Sequence, residues 1–264
     1  MEDIVERVGL PHQRFELAEH VFGRLLLAAD LDRAEAAGER ILELGTAAGA
    51  PDALGAYGGA LHNLRWHQGR LDEIADFFLD VARDNPSIAA LRAVIPMLLC
   101  EVGRTDEGRE RLTAEEATDF EYPYESTWLN GMYNFLDAAA STGSTTAART
   151  LIDRVSLHHT KVATAGPFLV HGAIARPLAR AATILGEYEQ AEYWFAIAHD
   201  IHRRLQAPFW TALGQLDHAD LCLTRRTDGD VERARELVTT AVATAAEYGC
   251  AGLTKRAAEL LADL

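Results

Sequence analysis

The sequence predicts an all-α fold built from about six stacked helical hairpins, and three observations support this prediction. Amphipathic segments recur along the chain, each interrupted by a short polar turn. Each turn lies at a small residue, or one that tolerates a left-handed backbone conformation, where a helix can end. Strict alternation of apolar and polar residues, which indicates a half-buried strand, is nearly absent.

Six segments in chain order have the pattern of a helix, a polar turn and a second helix. They are LLLAADLDRAEAAGERI, NLRWHQGRLDEIADFF, LLCEVGRTDEGRERL, DAAASTGSTTAARTLI, AATILGEYEQAEYWFAIAHD and CLTRRTDGDVERARELV. Their turn residues are spaced 40, 34, 40, 43 and 43 positions apart, at Ala29, Gly69, Gly103, Gly143, Gly186 and Gly229. Intervals of roughly 34 to 45 residues are typical of helical-hairpin repeats, in which each hairpin buries its apolar stripe against the next.

Small residues near the start of the second helices allow the two helices of a pair to approach closely. They are Ala34, Ala75, Ala147, Ala191 and Ala234.

Two prolines and one turn-like dipeptide fall within predicted helices. Pro96 should kink its helix or shift its start, whereas Pro177 is expected in a first turn, where the missing N–H costs little. Asn130-Gly131 lies in STWLNGMYNFLDAAA, which we predict to be helical.

The chain is long and apolar enough for a substantial core, because 48% of its 264 residues are hydrophobic. No low-complexity linker divides it. We therefore expect one helical-repeat domain over residues 1–264, with an N-terminal extension at 1–12 and the repeats over 13–264.

The charge of the chain argues against two classes of partner. Lys and Arg number 25 against 40 Asp and Glu, a formal net charge of -15. Such a surface repels phosphate backbones and anionic lipids, so we expect no direct nucleic-acid binding and no membrane binding. The N-terminal segment lacks the features of a signal peptide, and Cys100, Cys222 and Cys250 fit free thiols in a reducing compartment. We expect a cytoplasmic protein.

Several segments resemble a known family. GAPDALGAYGGALHNLRWHQGRLDEI, LGEYEQAEYWFAIAHDIHRRLQAPFWTALGQLDHADLCL and DGDVERARELVTTAVATAAEYGCAGL are similar to the tetratricopeptide-like C-terminal region of actinobacterial signalling ATPases, nucleotide cyclases and LuxR-type transcriptional regulators. The resemblance covers roughly residues 14–263. It implies a tetratricopeptide-like right-handed solenoid that senses or scaffolds, and that regulates attached catalytic or DNA-binding domains.

The sequence lacks the motifs of those attached domains. No GxxxxGK[ST] phosphate loop occurs, and GSTTAART has neither its lysine nor its spacing. No cyclase metal–carboxylate pattern, basic helix-turn-helix or GxSxG motif is evident. The acidic residues concentrate in turns and first turns of helices, where they stabilise helix N-termini. We therefore predict a protein that is not an enzyme and needs no cofactor.

Ten histidines raise the question of a metal site. His199 and His202 are three apart, His158 and His159 are adjacent, and His62 is five residues before His67. Two ligands at this spacing make half a zinc site, and no HExxH motif supplies the rest. We expect surface or helix-end histidines and no metal.

Polar and aromatic residues recur on the first helices of the hairpins, which line the concave face of such an array. An unpaired buried amide costs about 1–3 kcal/mol, whereas an amide in a groove can bind a peptide backbone. We predict a partner groove formed by Asn63, Trp66, Trp128, Tyr133, Asn134, His171, Arg176, Trp210 and Gln215. An alternative for the three tryptophans is that they form core between repeats.

The predicted function is a non-catalytic regulatory binding module. A peptide, protein segment or small-molecule effector in the groove would change the pitch of the array and bias attached domains. Two alternatives remain open. One is an oligomerisation scaffold, such as a homodimer, that uses exposed apolar outer faces at Trp194 and Phe195. The other is a small-ligand carrier or metal-dependent protein that uses the histidines.

Overall fold

The computed structural model describes residues 9–262 and Leu264, and it is all-α apart from one short β-hairpin in that part of the chain. The helices are α1 (Pro11–Leu27), α2 (Leu31–Ala47), α3 (Ala53–Gln68), α4 (Ala75–Asp84), α5 (Ala89–Glu101), α6 (Thr105–Ala117), α7 (Trp128–Thr142), α8 (Thr145–Val155), α9 (Ala175–Ile184), α10 (Tyr188–Leu205), α11 (Pro208–Arg225), α12 (Asp230–Tyr248) and α13 (Thr254–Ala262). The strands are β1 (Val162–Ala165) and β2 (Leu169–Ala173), and short 3-10 helices lie at Leu71–Glu73, Ser156–His158 and Ala251–Leu253.

The helices form six consecutive hairpins in a solenoid-like array, from α1–α2 to α11–α12, and α13 packs on the last pair. Among the first helices, α5 contacts α7 and α7 contacts α9. Residues 1–8 of the predicted N-terminal extension lie outside the described residues, and α1 begins at Pro11. The prediction of an all-α array of about six hairpins is confirmed.

The repeat signal in the sequence has a clear backbone origin. All six predicted turn residues have positive φ, from 56° at Ala29 to 85° at Gly229. The sixth unit differs in detail, because α11 already ends at Arg226 with φ 52° and Gly229 instead caps the N-terminus of α12. Its turn is therefore longer than the others.

The predicted small residues lie at close helix contacts. Ala34, Ala75, Ala147, Ala191 and Ala234 are all buried. In the third unit, Gly108 takes this place on α6, and a Cβ there would lie 2.8 Å from Sγ of Cys100 on α5. Because no alanine marks this unit, the sequence pattern missed it.

Two prolines lie inside helices, with different surroundings. Pro177 is the third residue of α9, so its predicted first-turn position is confirmed. Pro96 lies within α5 and is buried. Asn130 and Gly131 belong to α7, as predicted.

The β-hairpin corrects one prediction, because His171, which we predicted on a first helix, lies on β2. β1 and β2 pair antiparallel, with Val162 opposite Ala173 and Thr164 opposite Val170. Gly172 adopts φ 79°, and a Cβ there would lie 2.9 Å from Nε2 of His202. Only glycine fits such a left-handed position beside a ring, and α9 then begins at Ala175.

The array curls until its second and last hairpins meet. The Trp66 ring on α3 lies 5.3 Å from that of Trp210 on α11, and the His67 ring stacks on Phe209 at 3.6 Å. The 3-10 helix Ala251–Leu253 packs against the end of α3. The inner side is therefore a filled interior rather than an open trough.

No helix in the described part of the chain is both long and apolar enough to cross a membrane. Of the three cysteines, all free, Cys222 and Cys250 are buried and Cys100 is half-buried.

The closure contact can be tested at Gly252, where an added Cβ would overlap the carbonyl oxygen of Trp66. We expect Gly252→Ala to lower the free energy of unfolding in urea by about 1–3 kcal/mol, because the new methyl group forces the array open or strains α3. Gly55→Ala on α3 is the matched control, since nothing lies within 4 Å of its Cβ position. There we expect a gain of roughly 0.5–1 kcal/mol. Equal stability of Gly252→Ala and wild type would contradict a close contact at the closure.

Candidate functional site

Aromatic rings from four elements meet in the middle of the closed array. The Trp66 ring lies 6.0 Å from that of His171 on β2, and the Tyr133 ring of α7 stacks against His171 at 5.4 Å. The Trp210 ring lies 6.0 Å from the same histidine. We call these four residues, each at most 2% exposed, the central cluster.

Several hydrogen-bond donors in and beside the central cluster have no acceptor among the described residues, and three of them can each be assigned to one atom. The Asn130 amide donates to Nδ1 of His171, which leaves the proton of this neutral ring on Nε2, without a partner. The backbone N–H of Ala173 donates to Nε2 of His202 at 2.9 Å, so the His202 proton lies on Nδ1, also without a partner. The indole N–H of Trp210 is the third.

Three amide oxygens of the first helices lack a donor in the same part of the structure. They belong to Asn63, Asn134 and Gln215. The other end of the Asn63 side chain donates to the carbonyl oxygen of Gly59 at 2.9 Å. Each unpaired buried group costs about 1–3 kcal/mol, so an interior with several of them is not arranged for stability alone.

A buried ion network lies against the central cluster. Arg176 of α9 donates through Nε to the Tyr133 hydroxyl at 2.7 Å, and through its two terminal nitrogens to Asp217 at 2.5 Å and to Asp137. Arg180, one turn later on α9, also binds Asp137, and its Nε lies 3.3 Å from Asp217. One helix thus holds carboxylates from both neighbouring first helices, α7 and α11.

Burial and charge act in opposite directions on the pKa values of this network. Burial alone would lower the pKa of Arg176, but Asp137 and Asp217 hold that pKa well above its ordinary value. Burial would raise the pKa of Asp217, whereas the surrounding arginines keep it below the usual range. Burial also raises the pKa of the Tyr133 hydroxyl. These groups therefore keep their charge states around neutral pH.

The network reaches the surface through the C-terminal helix. Arg256 of α13 binds Asp217, and its side chain is 23% exposed. Glu101, at the end of α5, accepts a hydrogen bond from the Trp66 indole at 2.9 Å. Burial raises the pKa of Glu101, and Arg256 opposes that shift. We call Arg176, Arg180, Arg256, Asp137 and Asp217 the arginine–aspartate network.

The structure brings most of the predicted groove residues together, but it does not leave them on an open groove. Those with at most 2% exposure are Asn63, Trp66, Tyr133, Asn134, His171, Arg176 and Trp210. Gln215 is half-buried. Trp128 lies elsewhere, with its ring 5.0 Å from Tyr124 and 5.6 Å from His158. The physical reason is the closure of the array, which turns its concave face into an interior.

Sequence reasoning missed the partners of Arg176. Two signals could have found them: Arg176 and Arg180 are one turn apart on one helix face, and Asp137 interrupts the apolar run NFLDAAA. Nothing local pairs them with Asp217 or Arg256, which lie far along the chain.

Several histidines are buried rather than on the surface or at helix ends, which corrects that expectation. Burial lowers the pKa of His62 to about 4, and that of His67 and His202 to about 3. The pKa of His171 lies well below its ordinary value because of burial, with a smaller contribution from His62. These four rings are neutral at physiological pH.

His199 and His218 form a pair between the last two hairpins. His218 on α11 contacts Glu192 on α10 at 2.9 Å, and its other nitrogen lies 3.1 Å from Nε2 of His199. Burial lowers the pKa of His218 to about 4, even though the Glu192 carboxylate acts in the opposite direction. Arg225 and Arg233 both bind Glu192 and hold it in its charged form.

The described residues contain no group of three or more His, Cys, Asp or Glu side chains placed to hold a metal ion. His202 illustrates why: its Nε2 already accepts a backbone hydrogen bond, so it cannot act with His199 as half of a zinc site through that atom.

No family model matches the chain, and no curated protein matches it. The resemblance to regulator C-terminal regions therefore stays a prediction.

The arginine–aspartate network can be tested by removing its central cation. We expect Arg176→Met to lower the free energy of unfolding by about 3–5 kcal/mol, since Asp137 and Asp217 stay buried with fewer partners. The control is Arg149→Met on α8, where the pair with Glu187 is exposed and a loss below about 1 kcal/mol is expected. Urea unfolding followed by circular dichroism measures both. Similar losses for the two variants would contradict the central role of Arg176.

The buried histidines make stability depend on pH. A histidine with a lowered folded pKa gives its full stability above the unfolded pKa, near 6.5, and loses it as the pH falls towards the folded value. Each such ring contributes about 1.4 kcal/mol per pH unit in that window. Burial raises the pKa of Glu19 to about 7. This carboxyl group changes the stability in the opposite direction as the pH falls, by at most one bound proton. We therefore expect the free energy of unfolding to fall by several kcal/mol between pH 6.5 and 5.

The measurement is urea unfolding at several pH values for wild type and His67→Phe. The phenylalanine keeps the stack on Phe209 and removes one titrating ring. The slope of stability against pH should decrease by about one proton. Leu54→Ala, at an exposed position without a titrating group, is the control and should keep the wild-type slope. An unchanged slope in His67→Phe would contradict a neutral buried His67.

Proposed function

We propose that the chain is a non-catalytic regulatory binding module of a bacterial signalling or transcription regulator. Its partner is a peptide, a protein segment or a small-molecule effector. The first helices and β2 provide the binding surface, and attached domains read out its occupancy.

One observation carries the proposal: several donors and acceptors on the first helices, β2 and α10 are buried in the array without a partner among the described residues. His171, His202 and Trp210 offer N–H groups, while Asn63, Asn134 and Gln215 offer oxygens. A partner with both kinds of group, as in a peptide bond, would satisfy them. The cost of leaving them unpaired in the closed array is a source of binding energy for that partner.

The same interior supports binding over catalysis. Its carboxylates are held by arginines, and its histidines are neutral with low pKa values, so these groups are poorly suited to exchange protons with a substrate near pH 7. This argument concerns the central cluster and the arginine–aspartate network.

The proposed mechanism is an equilibrium between closed and open arrays. The closed state buries the binding residues, and a partner that binds only the open state shifts the population towards it. Attached domains would respond to the change in relative position of the first and last hairpins.

The oligomerisation alternative depended on exposed apolar outer faces at Trp194 and Phe195, which the structure does not have. Trp194 is 5% exposed and Phe195 is fully buried, so neither forms an apolar patch on the outside.

Native mass spectrometry can test the proposal on the purified protein, incubated with the peptide and metabolite fraction of a bacterial extract. We expect a saturable one-to-one adduct that raises the melting temperature by several degrees, since a ligand at 100 times its Kd adds about 2.7 kcal/mol. Gln215→Leu, which removes a half-buried unpaired amide, should weaken the adduct, whereas Gln190→Leu on α10 should not. No adduct at any concentration, or chemical turnover of the bound molecule, would contradict the proposal.

A further inference from the structure

The tip of the β-hairpin lies in a groove between the first helices of the first two hairpins. β2 contacts both α1 and α3. The base of the hairpin, at Ala163 and Ala173, belongs to the main core, whereas Phe168 packs against the separate N-terminal core around Phe22. We call residues 164–170 the strap, because they join the fifth hairpin unit to the first two.

Two glycines make room for the strap. A Cβ at Gly23 of α1 would overlap the carbonyl oxygen of Pro167, and a Cβ at Gly59 of α3 would lie 2.9 Å from the Phe168 ring and 3.1 Å from Leu169. Both glycines lie inside helices, where glycine costs roughly 0.5–1 kcal/mol relative to alanine. Gly55 and Gly58 of α3, in contrast, have nothing within 4 Å. The helices therefore lack a side chain at the two positions, Gly23 and Gly59, where the strap comes closest.

The strap makes few stabilising contacts for a segment that crosses the array. Residues Pro167 to Val170 are only half-buried, and Thr164 and Gly166 are exposed. No backbone–backbone hydrogen bond joins the strap to the described part of α1 or α3. An isolated two-stranded hairpin is marginally stable in water, so the strap keeps its shape mainly through these side-chain contacts.

We propose that the strap is an internal competitor for the partner site, and that the partner binds the groove of Gly23 and Gly59 with an extended segment that carries an aromatic residue followed by an aliphatic one. The strap presents this chemistry through Pro167, Phe168 and Leu169. This inference rests on the proposed function and names the partner class and the place on the concave face. Displacement of the strap removes the contacts of β2 with α1 and α3, and so couples partner binding to the closure of the array.

A peptide of the strap itself, TAGPFLV with a fluorescent label, is the probe. A tethered competitor acts at an effective concentration near the millimolar range, so wild type should bind the probe weakly. Phe168→Ala releases the strap and should bind it about 10- to 100-fold more tightly by fluorescence anisotropy. A scrambled peptide of the same composition should bind neither protein.

The groove is tested by two adjacent glycines in the Phe168→Ala background. Gly59→Ala should weaken probe binding at least about tenfold, because its methyl group takes the place of the aromatic ring. Gly58→Ala is the matched control and should leave the affinity within about twofold, since its Cβ position is open. Equal affinity of wild type and Phe168→Ala, or no effect of Gly59→Ala, would overturn the inference.

A measurement on the wild type keeps the inference testable if Phe168→Ala does not fold. At millimolar probe, hydrogen exchange of the amides at 164–170 should accelerate while that of α7 and α9 stays constant. Unchanged exchange with the probe bound would overturn the inference, and so would a concentration-dependent dimer in which two copies exchange straps. A failed probe together with a natural adduct in native mass spectrometry would reject the strap and leave the proposed function intact.

Discussion

A single guanidinium ties three consecutive first helices together. Arg176 of α9 donates to Tyr133 and Asp137 of α7 and to Asp217 of α11, and all four side chains are buried. Burial of these charges is costly unless every partner is in place, so the network forms only when the three helices have the correct register. The last three hairpins behave as one unit for this reason. A conformational change in the array must then occur at other contacts.

The closure of the array depends indirectly on the same network. Arg256 of α13 binds Asp217, and the 3-10 helix just before α13 packs against the end of α3. On the opposite side, the Trp66 indole donates to Glu101. The contacts between the second and last hairpins combine aromatic rings with the close packing of Gly252 against the backbone of Trp66.

Local chemistry made the repeat predictable, and tertiary pairing made the site unpredictable. A residue such as Gly143 or Gly186 must leave the helix in a left-handed conformation, and this requirement is visible in the sequence. The pairing of Arg176 with Asp217 joins positions 41 residues apart and has no local signature. The β-hairpin was missed because β2 has only five residues and is followed almost directly by α9. Closure itself arises from small rotations summed over six hairpins, which periodicity cannot fix.

The interior contains the arginine–aspartate network and, beside it, unpaired polar groups that lower the stability of the closed array. Unpaired groups such as the indole N–H of Trp210 and the amide oxygen of Asn134 reduce the stability of the closed array by about 1–3 kcal/mol each. In the proposed mechanism, these costs bring the free-energy difference between closed and open arrays towards the few kcal/mol that a bound partner can supply. A regulated array needs a difference of this size, because a larger one would make the closed state permanent.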